Sequence, residues 1–581
     1  MKVLSLVVLA AAVGCTGSKD SPGGGSRGGT SGATAGVGGA AGGGAGGGAG
    51  SGAGTSGGSA GTSASSGAAG AAGTTGGASG TAGGPSGSTG TAGTAGTAAT
   101  GGAAGTGAAG ASGAAWSPLS VMAVVNPKDH GAVGDGVADD LTALAATVNA
   151  LPAAGGIVYL PEGASFKKTN LLVVTKSHVK FWAPNRQAEL FQSVAGQRRH
   201  QAILCRSNAG CGFFGVAFRS DAAARFDALE DNQIAADRGS LVEVVGCDIQ
   251  SSAAVGVFLY GSTESYVEGN YVHHTWADHI HHTNGARQSW VWNNFIFNDQ
   301  VSKGDDGVAC VTYGPASTRC ADMEWWRNTH LGSGWGRGYA VIGGDDINIH
   351  HNWAIGVAGA GLIVASESSY DSASSQRVTL ADNFVYRCAH TIGHPGILIS
   401  GKNTAAEPLD TITLTNNVSA ETVTGTAYRA EGAYTNVTNS GLATTAAALP
   451  SPIPTIADIR IADTSMLRTR DVSHVDATSR PGLYRIHVRR APSGAGFQQR
   501  FEYVVKGAPD AVTAFVAAQT AAGAVLAEQR TVGAVAYALL LTPDPVTAPA
   551  TLTPITFRDL RAGDLAGDLS WLWTRIDSGA P

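Results

Sequence analysis

Three aspartates in the middle of the chain have the residue type and spacing that acid–base chemistry requires. Asp278 lies in the segment Trp-Ala-Asp-His, and Asp305 and Asp306 follow one apparent sequence repeat later, between two glycines. Carboxylates that are close together repel, so the pKa of at least one should rise and make it a proton donor near neutral pH. Hydrolysis of a glycosidic bond uses an acid for the leaving oxygen and a base for water. We therefore take these three residues as the candidate catalytic residues.

Other polar residues near these aspartates are candidates for binding a sugar. The five that we expect to contact substrate are His282, Lys303, Arg337, Tyr339 and Glu367. His279 and His281 would share one strand face about 6.7 Å apart, and such a pair can bind zinc together with a carboxylate. No recognised metalloprotease spacing accompanies them. We therefore expect no metal at this site.

The scaffold that positions these residues is indicated by a repeated asparagine. Between about residues 200 and 440, an Asn closes a short β-branched or aromatic strand with gaps of 24, 34, 24, 31 and 34 residues. A persistent unit with variable spacing is typical of a solenoid whose coils carry loops of different length. Stacked Asn side chains can bond to those above and below, so we predict a structural ladder at Asn270, Asn294, Asn328, Asn352, Asn383 and Asn417.

The segment that begins at Asp129 supports the same architecture. Asp139 precedes a helical pattern and can accept hydrogen bonds from its first turn, and a strand-like Ile-Val-Tyr-Leu follows. This arrangement resembles the N-terminal segment of the pectate-lyase-like superfamily, in the group that includes rhamnogalacturonases and related hydrolases, lyases and epimerases. The resemblance implies an all-β fold, a right-handed parallel β-helix whose open end is capped by that helix.

The middle region resembles the polygalacturonase family of glycoside hydrolases. That family carries an Asn-Thr-Asp motif, a paired Asp, a Gly-His-Gly and an Arg-x-Lys on successive coils. Here Asp278 occupies the first place, Asp305 and Asp306 the second, and Gly-Arg337-Gly stands where Gly-His-Gly would be, while no Arg-x-Lys is present. The resemblance implies that Asp305 is the general acid and that Asp278 and Asp306 activate water for an inverting attack, without a cofactor.

Two other functions are compatible with the same residues. A polysaccharide lyase or uronan epimerase would need a base and a cation, so Lys303 or Arg337 could serve as base or neutraliser and the three aspartates could bind Ca²⁺. A non-catalytic polysaccharide-binding protein or adhesin would retain the aspartates as a structural remnant. An unsaturated product that disappears with a chelator would favour the lyase, whereas new reducing ends without unsaturation would favour hydrolysis.

The N-terminal 115 residues predict export and attachment to a membrane. Lys2 precedes an apolar run that ends at Ala-Val-Gly-Cys15, which resembles a bacterial lipobox, so residues 1–15 are predicted to be a lipoprotein signal peptide with lipid on Cys15. Residues 16–115 consist almost entirely of Gly, Ala, Ser and Thr and contain no aromatic residue. Such a segment has nothing to bury and is predicted to be a disordered linker. We expect a lipid-anchored protein at the cell surface or in the periplasm of a bacterium.

Six further cysteines agree with an oxidising compartment. The pairs Cys205 with Cys211 and Cys310 with Cys320 are close in sequence and are the predicted disulfides. Neither pair has the Cys-x-x-Cys spacing of zinc or redox sites.

Charge and the C-terminal region complete the prediction. The net charge is −6 and only 14% of residues are charged, which argues against a nucleic-acid partner because that would require a basic face. The partner expected is a polysaccharide, bound by a monomer. Residues 116–450 are assigned to the β-helix, and residues 451–581 to a small α+β appendage with a helix over 509–521.

Overall fold

The computed structural model describes residues 117–118, 123–183, 186–194, 202–226, 228–299, 304–314, 319–401, 408–455, 472–474, 483–490 and 497–555. The predicted signal peptide, Cys15 and the linker lie outside the described residues. Within the ranges given, the chain forms three long parallel sheets and one smaller antiparallel sheet. None of the helices in these ranges combines the length and apolar character that crossing a membrane requires.

Each coil of the main domain visits the three parallel sheets in the same order. In one coil, Thr263–Glu268 belongs to the first sheet, Tyr271–His273 to the second and Ile280–Thr283 to the third, and Arg287–Trp292 then returns to the first. Strands at equivalent positions in successive coils pair in parallel. The predicted parallel β-helix is confirmed.

The strands are short and evenly repeated along the axis. The first sheet contains Val124–Val125, Gly156–Tyr159, Val179–Trp182, Gly212–Phe214, Ser240–Val245, Thr263–Glu268, Arg287–Trp292, Cys320–Trp326, Gly344–His350, Gln376–Ala381, Leu409–Thr415 and Tyr434–Ser440. The second contains Asp135–Asp139, Ser165–Lys168, Glu189–Gln192, Ala217–Ser220, Asp248–Gln250, Tyr271–His273, Phe295–Phe297, Thr329–Leu331, Trp353–Ile355, Phe384–Tyr386 and Val418–Ala420. The third contains Leu172–Val174, Ile203–Arg206, Ile234–Asp237, Val257–Tyr260, Ile280–Thr283, Val308–Val311, Tyr339–Ile342, Leu362–Ser366, Ile397–Gly401 and Tyr428–Gly432.

The helix Leu141–Ala150 packs at the N-terminal end of the solenoid. Its buried Leu144 and Val148 join the apolar core that runs through the coils. As predicted, Asp139 accepts a hydrogen bond from the Leu141 N–H at 3.2 Å. The neighbouring Asp140 has a different role, because its carboxylate accepts the N–H groups of residues 133 and 134 at 2.6 and 3.0 Å. The two carboxylates are therefore structural.

The predicted asparagine ladder is present along the turn between the first and second sheets. Each Asn side chain donates from Nδ2 to Oδ1 of the next, at 2.9 to 3.0 Å, over five consecutive steps. The same Oδ1 also accepts the backbone N–H of the preceding Asn at 3.0 to 3.1 Å. Because all six side chains are buried, each hydrogen bond replaces one that water would otherwise supply. The ladder is made of Asn270, Asn294, Asn328, Asn352, Asn383 and Asn417.

The turn that holds this ladder has a fixed backbone conformation. The residue before each Asn has a positive φ of 52° to 61°, a left-handed conformation that side chains other than Gly adopt at a cost. Only the first of the six is a glycine. The ladder therefore stabilises a turn that local propensity disfavours, at Gly269, Asn293, Arg327, His351, Asp382 and Asn416.

One of the two predicted disulfides is present, and the prediction of the other is wrong. Cys205 and Cys211 are bonded, with their Cα atoms 6.2 Å apart. Cys310 and Cys320 are free thiols. Both are buried in the core, where the Cys320 thiol contacts that of Cys310, and burial raises the pKa of Cys310 well above its usual range. The sequence spacing therefore brings the two side chains together as packed thiols.

The C-terminal region is an α+β unit, as predicted. Its helix is Pro509–Ala521, and its antiparallel sheet consists of Ser117–Pro118, Val472–His474, Leu483–Arg490, Phe497–Gly507, Val525–Val532, Val535–Thr542 and Leu552–Pro554. The unit packs on the outer face of the first parallel sheet, where Trp290 and Trp292 share one apolar cluster with Tyr537 and Leu539. The outer face of the third sheet carries the candidate site.

The ladder predicts a specific stability effect for Asn328→Ala. Removing this side chain takes away the acceptor of the Asn294 backbone N–H, and Nδ2 of Asn294 keeps only the Val267 and Trp292 carbonyls. We expect the free energy of unfolding to fall by about 2–4 kcal/mol, measured by urea denaturation. Asn348→Ala is the control, because Asn348 makes only a 3.5 Å contact with Glu324 on the outer face. Equal losses from the two variants would contradict a structural ladder.

Candidate active site

The turn that precedes each strand of the third sheet forms the candidate site. Asp278, Asp306 and Arg337 each lie two residues before a third-sheet strand, on three successive coils. The backbone fixes this register, because the His279 N–H donates to the Asp306 carbonyl and the Gly307 N–H to the Arg337 carbonyl, both at 2.9 Å. The three side chains therefore form one column along the solenoid axis.

The structure brings the three predicted aspartates together. One carboxylate oxygen each from Asp278, Asp305 and Asp306 lies within 4.8 Å of the others. Asp305 and Asp306 can share this site because they lie in a turn, before the strand that begins at Val308. The backbone N–H of Asp306 also donates to Oδ1 of Asp278 at 2.8 Å. We call these three residues the acidic trio.

Asp306 is held by an arginine on the next coil. Arg337 donates from Nε to Oδ1 and from its second terminal nitrogen to Oδ2, at 2.7 and 2.8 Å, and its backbone N–H donates to Oδ1 at 2.7 Å. The remaining end of the guanidinium binds Glu367 at 2.7 Å. Burial raises the pKa of Asp306, and the bidentate contact with Arg337 acts in the opposite direction. Both oxygens of Asp306 are therefore engaged.

Asp278 is bonded to a histidine from its own coil. His281 Nδ1 donates to Oδ2 of Asp278 in a short contact, while Oδ1 accepts the Asp306 N–H. Burial disfavours the charged carboxylate, but the hydrogen bond and charge of His281 outweigh it and lower the pKa of Asp278. Asp278 is therefore ionised and fully hydrogen-bonded.

Asp305 is the most exposed and least compensated member of the acidic trio. Its side chain is 23% exposed, and Oδ2 accepts one hydrogen bond from Arg225 at 2.9 Å. The loop that carries Arg225 is anchored beside the site, because Trp276 Nε1 donates to the carbonyl of Ala222 at 3.1 Å. Asp305 is thus reachable from solvent, whereas its two neighbours are closed off by protein groups.

This difference in environment separates the acidity of the three carboxyls. Burial, together with the charges of Asp278 and Asp306, raises the pKa of Asp305 to about 7, against the opposing effect of Arg225. Asp305 is therefore the one carboxyl of the acidic trio that holds a proton near neutral pH and can give it to a ligand.

A row of rings borders the acidic trio on the third sheet. His281 is stacked on Phe258 at 5.2 Å and on Tyr313 at 6.3 Å, and Tyr313 makes an edge contact with Tyr370 at 6.0 Å. Burial and the charges of the nearby carboxylates of the acidic trio raise the pKa of the Tyr313 hydroxyl. Tyr313 and Tyr370 are 47% and 58% exposed.

A third exposed aromatic residue lies beside Asp305 on the following coil. Trp335 is 50% exposed and precedes Gly336. Gly336 has a φ of 81° and packs so closely on Asp305 that a Cβ there would lie 2.3 Å from the Asp305 carbonyl carbon. The close approach requires glycine, and Trp335 is the residue before it.

The histidines around the site have different environments. His279 is fully buried, its Nδ1–H donates to the Asp306 carbonyl at 3.2 Å, and its ring contacts the His330 ring at 5.3 Å inside the coil. Burial lowers the pKa of His279 to about 4, so it is neutral. His281 is instead bonded to Asp278. Among the described residues, only the acidic trio has three metal-ligating side chains this close, so the predicted absence of a His279–His281 zinc site is not contradicted.

The prediction that His282 and Tyr339 bind substrate is wrong. His282 faces the interior, where it contacts the Ala309 carbonyl and the Ser289 hydroxyl at 3.0 and 2.8 Å. Tyr339 is also inside, and its hydroxyl donates to the Trp353 carbonyl at 3.0 Å. Both residues lie on inward-facing positions of third-sheet strands, so neither can contact a polymer on the outside.

Two of the other three predicted binding residues lie at the site. Glu367 and Arg337 are at the site, but they are bonded to each other, and Arg337 also holds Asp306. Lys303 lies outside the described residues. Sequence analysis missed Arg225, His281 as a partner of Asp278, and the exposed rings. An aromatic residue within the glycine-rich run at 332–338 was a usable signal for Trp335, whereas nothing local indicated Arg225, 80 residues before Asp305.

Comparison with known proteins gives distant structural similarity only. No family model and no curated protein matches the sequence. A GH87 α-1,3-glucanase catalytic unit from Streptomyces thermodiastaticus is 17% identical, with 59% of this chain and 68% of that chain covered and a TM-score of 0.42. The A-module of the mannuronan C-5 epimerase AlgE4 from Azotobacter vinelandii is 15% identical, covering 55% and 96%, with a TM-score of 0.41. The surface adhesin PfbA of Streptococcus pneumoniae is 16% identical, covering 56% and 92%, with a TM-score of 0.39.

The ion pair at Asp306 predicts a large effect for Arg337→Met. The variant leaves a carboxylate that is only 3% exposed without its counter-charge, so we expect the free energy of unfolding to fall by about 3–5 kcal/mol. The control is Arg377→Met, which breaks an exposed pair with Asp345 and should cost about 1 kcal/mol or less. Adding Asp306→Asn to Arg337→Met should recover part of the loss in urea denaturation. No recovery would show that Arg337 acts mainly through packing.

Proposed function

We propose that this chain is a polysaccharide-cleaving glycoside hydrolase in which Asp305 is the proton donor. The observation that carries the proposal is the unequal environment of the acidic trio. Asp305 has a pKa raised to about 7 and faces solvent, while Asp278 and Asp306 are buried and bonded to protein groups. A carboxylic acid that keeps its proton near neutral pH can protonate a glycosidic oxygen as the bond breaks.

The remaining parts of the acidic trio support this role. Asp278 and Asp306 lie within 4.8 Å of Asp305, and their charges make it harder for Asp305 to ionise. Arg337 favours the charged form of Asp306, because it donates two side-chain hydrogen bonds to that carboxylate from the next coil. The site thus keeps one acid next to two bound carboxylates, which is an arrangement suited to acid–base work on a neutral bond.

The exposed rings support a carbohydrate as the ligand. Tyr313, Trp335 and Tyr370 are each about half exposed in the part of the chain that carries the acidic trio. Sugar rings have apolar C–H faces that pack on aromatic rings, while their hydroxyls bond to carboxylates and hydroxyls. Exposed rings at three positions suit a polymer better than a single sugar.

The setting that we propose for this activity is outside the cytoplasm. Lipid on Cys15 would hold the protein to a bacterial membrane, and the Gly-rich segment 16–115 would let the β-helix reach a polymer at the cell surface or in the periplasm. The chain would act as a monomer and without a cofactor.

A polysaccharide lyase or uronan epimerase is the second candidate. It is favoured by one observation, that Arg225 lies beside the proton-bearing Asp305, where the two could neutralise the carboxylate of a uronate. A Ca²⁺ ion on the acidic trio is less well supported, because Arg337 already occupies both oxygens of Asp306. A product that absorbs as an unsaturated sugar, or a change of sugar configuration without cleavage, would identify this alternative.

Asp305→Asn tests the proposal. We expect kcat to fall by about 10²- to 10⁴-fold on the polymer that the native protein cleaves best, scored as reducing ends across pectic, alginate-like and neutral polysaccharides. Asp345→Asn is the matched control, since Asp345 is 20% exposed and pairs with an exposed arginine as Asp305 does. Unchanged cleavage and binding by Asp305→Asn would leave a non-catalytic role for the acidic trio.

The pH dependence of the native protein gives a second test. Because the reactive form of Asp305 is protonated and its pKa is about 7, kcat/KM should fall tenfold per pH unit above about pH 7. The measurement is the initial cleavage rate from pH 5 to 9 on the best polymer. A rate that is flat over this range would mean that Asp305 does not supply the proton.

Trp335→Ala tests whether the exposed rings bind the polymer. In an Asp305→Asn background, where the polymer stays intact, we expect the dissociation constant to rise by about tenfold, which corresponds to the loss of one stacking contact of about 1.4 kcal/mol. Tyr434→Ala is the control, because Tyr434 is 41% exposed on the last coil. Similar affinity of the two variants in calorimetry would exclude Trp335 as a sugar platform.

A further inference from the structure

His281 lies at the edge of the acidic trio, and the proposed proton donor gives it no role. It is on the strand Ile280–Thr283, on the outer face, next to the turn that carries Asp278. Its Nδ1 donates to Oδ2 of Asp278, whose other oxygen accepts the Asp306 N–H at 2.8 Å. Asp278 therefore holds the imidazole on one side and is itself held by the backbone of the next coil.

The hydrogen bond to Asp278 fixes which nitrogen carries the proton. An ionised carboxylate can only accept, so Nδ1 of His281 is the protonated nitrogen, and in the neutral ring the lone pair is on Nε2. Within the described part of the chain, Nε2 is buried and has no hydrogen-bond partner. A buried polar atom without a partner is destabilising, and a bound O–H donor would supply the missing hydrogen bond.

The ring is also fixed in orientation by its neighbours. Phe258 and Tyr313 are both stacked on it, with interplanar angles of 15° and 18°. Tyr313 is 47% exposed. An imidazole that is oriented by a carboxylate and packed against two rings has the positioning that a general base requires.

The acidic trio by itself offers no free base for water. Both oxygens of Asp306 are bound by Arg337, and both oxygens of Asp278 accept hydrogen bonds from protein groups. The three carboxylates also approach within 4.8 Å, whereas an acid and a base that act on opposite sides of a sugar are about 6.5–9.5 Å apart, to leave room for water. A base for water would therefore have to lie beyond Asp278, and His281 is bonded to Asp278.

We propose that His281 is the general base of the hydrolysis and that Asp278 is its positioning residue, an inference that rests on the proposed function. Nε2 takes a proton from water as the water oxygen forms a bond to the anomeric carbon. The glycosidic C–O bond breaks, its electron pair goes to the leaving oxygen, and that oxygen takes the proton of Asp305. One water is consumed, and the protonated His281 and ionised Asp305 then exchange protons with solvent to restore the starting state. A single displacement of this kind inverts the anomeric configuration.

Two substitutions separate a base from a residue that only holds Asp278. His281→Asn places an amide N–H near the position of Nδ1, so it can keep the contact with Asp278 but lacks Nε2. His281→Gln loses that contact. If His281 is the base, both variants should lose about 10²- to 10⁴-fold in kcat with little change in KM, and added imidazole should restore part of the activity of His281→Asn. The control is His273→Asn, because His273 makes a comparable 2.9 Å contact with Asp248 on the second sheet.

Activity of His281→Asn within about tenfold of native, with a large loss only in His281→Gln, would overturn the proposal and leave His281 as a support for Asp278. Retention of anomeric configuration in the first product, followed by proton NMR, would overturn it as well, since Asp278 would then be the nucleophile. Thermal unfolding of each variant identifies misfolded protein, and imidazole rescue is scored on whichever variant folds. Failure of the proposed function would be seen separately, as full cleavage by Asp305→Asn.

Discussion

The stacking of coils in register is the constraint on which the rest of the structure depends. The buried Asn ladder supplies it at one turn, because every Oδ1 accepts both the backbone N–H and the side-chain Nδ2 of the preceding Asn. A coil that slipped by one residue would leave these donors unpaired in the interior and would turn its core side chains outward. The ladder also compensates for the left-handed residue that precedes each Asn. Loop lengths can then vary at the other turns without changing the pairing of the strands.

The candidate site is a consequence of this register at a different turn. Asp278, Asp306 and Arg337 occupy equivalent positions on three coils, so their side chains meet although 28 and 31 residues separate them in sequence. Strand alternation then decides which neighbours take part. His281 faces outward and binds Asp278, whereas His282, the next residue, faces the core and binds Ser289. A difference of one residue thus separates a candidate catalytic group from a packing group.

The sequence predicted the repeat better than it predicted the faces. Six Asn residues closing similar strands were sufficient to infer the solenoid and the ladder, and equivalent offsets from those Asn placed Asp278 near Asp305 and Asp306. Period-two alternation shows that neighbouring residues point to opposite sides, but it does not show which side is the core, and this is why His282 and Tyr339 were assigned to the site. Arg225 could not be predicted at all, because its contact with Asp305 depends on how a loop three coils before Asp305 is anchored by Trp276. The sequence spacing predicted that Cys310 and Cys320 lie together, but the two are buried free thiols and not a disulfide.

The distribution of counter-charges decides which carboxyl becomes the acid. Two unit charges within 4.8 Å at an effective dielectric constant of about 20 repel by roughly 3 kcal/mol or more, so three ionised carboxylates cannot coexist here without compensation. Asp306 receives it from the bidentate Arg337 and Asp278 from His281 and a backbone N–H, whereas Asp305 has one hydrogen bond from an arginine that is 44% exposed. The rise in the pKa of Asp305 from 3.8 to about 7 comes first from burial and then from the charges of Asp278 and Asp306, against the opposing effect of Arg225. The acid is therefore selected by the donors that the other two carboxylates receive, and changing those donors should move the acidity within the acidic trio.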